Sequence, residues 1–166
     1  MSELVDKPDG KTPDYKTSLL KNGFLAFVPK GNSMWPTLKN GKQSVVLLPK
    51  KERLKVMDVA MYLRPDGTFV LHRVIELTDD GYVFVGDSMP LSLKETVKEE
   101  QVFGVLTGYY KKRRYITTED GAFNRRGAKL FKHDKLRLFR FRVAIFLSSV
   151  KRKIKKLFTF RKGKQG

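Results

Sequence analysis

From Phe24 to about Thr118 the apolar residues come in short β-type runs, each cut off by a turn signal. This punctuation restricts the chain to a small, mainly β fold. The runs are Phe24–Val28, Ser44–Leu48, Asp58–Leu63, Phe69–Leu77, Tyr82–Val85, Val102–Thr107 and a basic run ending near Thr118. Pro65-Asp66-Gly67 and Asp79-Asp80-Gly81 favour tight reversals, so the middle runs read as antiparallel hairpins. Strands of this length and spacing suit a small barrel or sandwich.

Charge divides the chain in two. Residues 1–108 carry 15 Lys/Arg against 14 Asp/Glu, whereas residues 109–166 carry 20 against 3. A nearly neutral body is thus joined to a tail of net charge +17 (20 minus 3), which points to an anionic partner. The expected organisation is a polar arm over 1–14, a body over 15–118 and a basic extension over 119–166. Tyr15 to Lys21 reads as a short helix stopped by Asn22-Gly23. With no cysteine in the chain, a disulfide framework, a thiolate metal site and a cysteine nucleophile are all excluded. The polar start has no apolar segment of the secretory kind.

In the tail, Leu136, Phe139, Val143, Phe146, Val150, Ile154 and Leu157 recur three or four apart, which predicts a basic amphipathic helix. Between them stand Arg137, Arg140, Arg142, Lys151, Arg152, Lys153, Lys155 and Lys156. The apolar core Val143–Leu147 is far shorter than the ~20 residues that span a bilayer. Such a helix can lie on an anionic membrane, with Arg137, Arg140, Lys151 and Lys155 on headgroups and Phe139 and Phe146 in the interface. Alternatively it packs its stripe on the body. No helix-turn-helix pattern supports specific nucleic-acid recognition.

The octapeptide Gly31-Asn32-Ser33-Met34-Trp35-Pro36-Thr37-Leu38 follows a predicted strand. Its glycine permits a tight turn and Pro36 sets the chain direction after the serine, the rigid presentation a hydroxyl nucleophile needs. On the residues alone, Ser33 is equally a serine in an exposed turn. His72 alternates with Val70 and Val74 on one strand face, and an imidazole can serve as a base near neutral pH. His133, the other histidine, lies in the basic tail without such a context.

Ser33-Met34-x-Pro36-Thr37-Leu38 resembles the nucleophile motif of type I signal peptidases. Gly31-Asn32-Ser33-Met34 is similar to that of the LexA-like self-cleaving repressor peptidases, which share their fold. Three more blocks follow in the family's order: Val56–Tyr62, then Leu71-His72-Arg73-Val74-Ile75, then Val85-Gly86-Asp87-Ser88 with Gln101–Leu106. The His-Arg-Val block is similar to that of the archaeal, sporulation-type and endoplasmic-reticulum signal peptidases, in which histidine replaces lysine as base. The resemblance covers about residues 20–115. It implies Ser33 as nucleophile, His72 as base, Asn32, Met34 and Pro36 in the oxyanion and substrate loop, and a peptide substrate without metal or cofactor.

Asp87 is the candidate to orient His72, with a structural turn role as the alternative. The family's later orienting aspartate has no counterpart over Leu91–Lys94. Gly31 stands where many signal peptidases carry an oxyanion-assisting serine, and the family's usual anchor before the serine block is replaced by a polar arm. Ser88-Met89-Pro90 partly imitates a nucleophile motif, but it follows the base strand rather than preceding it. These features imply a peptidase that cleaves a leader or propeptide, cytoplasmic or peripheral on the cytoplasmic face of a membrane. The rivals are a repressor-like autopeptidase and an inactive membrane- or nucleic-acid-binding module.

Overall fold

The computed structural model describes residues 14–119 and 121–133, together with Lys135, Leu138, Phe139, Arg142, Val143, Phe146, Leu147 and Val150. Helix α1 (Tyr15–Asn22) opens the described chain. The Asp14 side chain accepts from Thr17 N at 2.9 Å to cap its start, and hydrogen bonding from Thr17 holds that carboxyl below its usual value. Gly23, at φ 74°, closes its end.

Eight strands follow: β1 (Leu25–Phe27), β2 (Gln43–Pro49), β3 (Val59–Leu63), β4 (Phe69–Leu77), β5 (Gly81–Val85), β6 (Glu95–Lys98), β7 (Val102–Lys111) and β8 (Arg114–Thr117). All pair antiparallel in the order β1-β2-β7-β3-β4-β5-β6, with β8 added to β7. The mainly β expectation holds, and every predicted run lies on a strand. The short predicted helix is α1.

Alternation along the strands feeds two cores. Phe69 and Leu71 of β4 join Val59, Met61, Leu47, Phe103 and Leu106 in the first core, which also takes Leu19 of α1. Val70 and Val74 face the other way and join Ala60, Tyr62, Tyr82, Phe84 and Val97 in the second. Burying side chains of this size contributes about 1.5–3 kcal/mol each.

Helix α2 (Ala122–Lys132) follows β8 and buries Phe123 and Gly127. It begins well before Leu136, where the expected tail helix starts. In the predicted tail helix, Phe139, Val143, Phe146 and Val150 have helical backbone, and Phe139 and Phe146 are 63% and 66% exposed. Leu136, Arg137, Arg140, Lys151, Ile154, Lys155 and Leu157 lie outside the described residues, as does most of the predicted arm. Among the described residues no helix is long and apolar enough to cross a membrane.

Candidate active site

Ser33 lies in the connection between β1 and β2. Two buried side chains anchor it: Met34 and Leu38 belong to the first core, and a turn bond from Leu38 N to Met34 O (2.8 Å) links them. Met34, expected in the substrate loop, therefore serves first as a core residue. Asn32 is exposed, while Ser33 and Pro36 are half-buried. Ser33, Met34, Leu38 and Leu71 line a shallow hollow together with Pro29, Lys30, Lys39 and Asn40.

The segment after β5 fastens this loop from outside. Ser88 N donates to Ser33 O at 2.8 Å, and Ser88 Oγ donates to Asn32 O at 2.8 Å with a longer contact of 3.1 Å to Ser33 O. Gly86 lets the two segments meet. A Cβ there would stand 2.8 Å from Ser33 O and 2.7 Å from Met89 Sδ, so any side chain would push the serine loop away. The β4–β5 register pairs Arg73 with Val85. Carried one step further, it sets Gly86 across from His72, and the Ser33 main chain lies over that glycine.

His72 is 1% exposed. It pairs with Ala60 across β3 and shares the sheet face of Tyr62 and Val70. Its Nδ1 lies 3.3 Å from Tyr62 Oη and 3.8 Å from Glu95 Oε1 of β6. Arg64 holds that carboxylate by two bonds of 2.6 Å, Nε to Oε2 and Nη2 to Oε1. The imidazole's bond through Nδ1 thus runs to Tyr62 and not to Ser33.

Asp87 is fully buried and sits elsewhere. Arg73 Nε donates to Oδ1 at 2.7 Å and Nη2 to Oδ2 at 2.8 Å, while Thr37 Oγ1 also donates to Oδ2. Neighbours along a strand point to opposite faces, so Arg73 carries Asp87 to the side of the sheet away from the His72 ring. The expected contact between Asp87 and His72 is replaced by this bidentate pair, and Asp87 takes the structural role. Through Thr37 it ties the end of the serine loop to β4. Asp58 is structural too, accepting from Lys55 N at 2.8 Å.

The Arg73 guanidinium is enclosed on its remaining sides. Nη1 donates to Met57 O at 2.8 Å and reaches Asn124 Oδ1 at 3.4 Å, and the Phe123 ring lies 4.9 Å from Cζ. Gly127 of α2 touches the guanidinium so closely that a Cβ there would collide with Cζ.

Sequence reasoning missed Glu95, Tyr62 and Arg64. Glu95 directly follows the stretch that was searched for a carboxylate, and a polar strand with one buried residue, Val97, gave little sign of pairing with β5. Among the described residues no group of three or more His, Cys, Asp or Glu side chains is arranged to hold a metal ion. A scan against protein-family models and a search of curated proteins each found no match to this chain.

Proposed function

We propose that this protein is a serine endopeptidase in which Ser33 is the nucleophile, His72 the general base and Glu95 the residue that orients the base. The observation that carries the reading is the Ser33 main chain packed over Gly86, the residue after β5, which pairs with the strand of the buried His72. A His72 tautomer that donates Nδ1–H toward Tyr62 and the Glu95 carboxylate leaves Nε2 to accept the Ser33 proton. Loss of that proton lets Oγ add to the scissile carbonyl carbon, and backbone N–H groups of the loop receive the negative oxygen. Collapse breaks the C–N bond, with the proton passing from His72 to the leaving amine. Water, deprotonated by His72, then hydrolyses the acyl ester and restores Ser33.

The substrate is a leader or propeptide, presented near the cytoplasmic face of an anionic membrane. The charge of the tail and the exposed Phe139 and Phe146 favour that location over free solution. Incubating the chain with a peptide library and reading new termini by mass spectrometry tests the activity. Wild type should give a reproducible cleavage set, and Ser33→Ala and His72→Ala should each lose on the order of 10⁴-fold or more in rate. Equal cleavage by Ser33→Ala would remove the proposal.

A further inference from the structure

The turn between β7 and β8 presents a surface that peptide hydrolysis does not use. Lys111 pairs with Arg114, so Lys112 and Arg113 alone form the turn, and all four side chains are exposed. Among the described residues none of these cations forms an ion pair. Below the turn Tyr110 faces Tyr115, with ring centroids 5.1 Å apart, and the two residues are 44% and 43% exposed. Lys112 sits at φ 59°, in the left-handed region where a two-residue hairpin ordinarily places glycine or asparagine. A backbone conformation unfavourable for lysine is therefore kept where it projects charge outward.

The turn also lies at the Ser33 end of the sheet. Lys111 pairs with Gln43, whose Oε1 accepts from Lys39 N at 2.6 Å, and Lys39 and Asn40 line the hollow beside Ser33. Exposed Lys30, Lys39 and Lys42 continue the positive surface around that end.

We infer that the β7–β8 turn is a membrane-contact element. Its four cations lie on anionic headgroups, its tyrosine pair sits at headgroup level, and together they bring the Ser33 end of the molecule toward the bilayer. Tyrosines with an apolar body and a polar tip suit that depth. Nucleic acid is the other polyanion such a surface can meet. The exposed Phe139, Val143, Phe146 and Leu147 of the basic tail favour a partner with an apolar phase. The inference stands whether or not Ser33 is a nucleophile.

Vesicle co-sedimentation of the full chain tests it, with phosphatidylcholine alone or mixed with phosphatidylglycerol. Wild type should bind the mixed vesicles and release as salt rises. Each cation near such a surface contributes about fivefold in partitioning, so Lys112→Gln with Arg113→Gln should lose roughly 25-fold. Tyr110→Ser with Tyr115→Ser should weaken binding in low and high salt alike. Lys112→Gly separates charge from folding: it should raise the melting temperature, because glycine accepts φ 59°, while lowering vesicle binding about fivefold. Folded Lys112→Gln/Arg113→Gln protein that binds mixed vesicles like wild type would overturn the inference. Wild type that ignores vesicles but binds duplex DNA would overturn it as well.

Discussion

His72 and Arg73 are neighbours in β4, yet the alternation of the strand sends one toward Tyr62 and Glu95 and the other toward Asp87. Two adjacent residues therefore have unrelated tasks, which different substitutions should separate. Asp87→Ala leaves the buried Arg73 charge without its bidentate partner and should cost about 3–5 kcal/mol, read as a fall in the urea midpoint. An Asp87 that only oriented the base would leave that midpoint unchanged. Glu95→Gln keeps the shape and an acceptor for Arg64 but removes the charge near Nδ1. Without the Glu95 negative charge 3.8 Å from Nδ1, the protonated imidazole is less favoured. The acid limb of kcat/KM should move to lower pH, and the plateau should fall roughly tenfold, the worth of a charge-assisted contact of about 1.5 kcal/mol. An unmoved acid limb would take Glu95 out of the site. The turn around Ser33 and the strand of His72 were readable from sequence because turn residues and strand alternation are local, whereas their candidate roles rested on the family resemblance. The position of Glu95 near His72 was not readable, because it depends on β6 pairing with β5.

Helix α2 packs on the body through Phe123, whose ring lies near Tyr109, and through its contacts with Arg73. Gly127 is the position where the helix backbone meets the Arg73 guanidinium, and Phe123 and Asn124 close around the same group. Alanine in place of glycine within a helix ordinarily stabilises by about 1 kcal/mol. Here the added Cβ has no room, so Gly127→Ala should instead lower the melting temperature, and a rise would show that α2 does not dock on Arg73. The same helix marks a limit of sequence reading. Phe123, Leu130 and Phe131 do recur at helical spacing, but a glycine in mid-helix and four basic residues among eleven hid that period, so the extension read as helical only from Leu136. β6 escaped for a related reason, since Val97 alone of its four residues is buried. The other strands were legible because Val-, Leu- and Phe-rich runs between turns leave few alternatives. What periodicity left open was the arrangement: one sheet in which β4 lends alternate residues to two cores.

At the scale of the whole molecule, a near-neutral body carries a strongly basic extension. The body holds the Ser33 loop against the end of β5, where Gly86 leaves room for the Ser33 main chain. The basic surfaces, the β7–β8 turn among them, are the proposed membrane-contact elements. Attraction to an anionic surface adds local substrate concentration without adding chemistry, so hydrolysis of a short soluble peptide should be insensitive to the turn, whereas hydrolysis at a membrane should not. The central claim is that Ser33 is the nucleophile, and covalent labelling reaches it most directly. Wild type, Ser33→Ala, His72→Ala and Ser88→Ala are treated with a fluorophosphonate or a β-lactam-type acylating agent, then digested and mapped by mass spectrometry. One adduct is expected on the peptide carrying Ser33, absent in Ser33→Ala, strongly slowed in His72→Ala and retained in Ser88→Ala. An adduct on Ser88, or labelling of equal rate in Ser33→Ala, would contradict it.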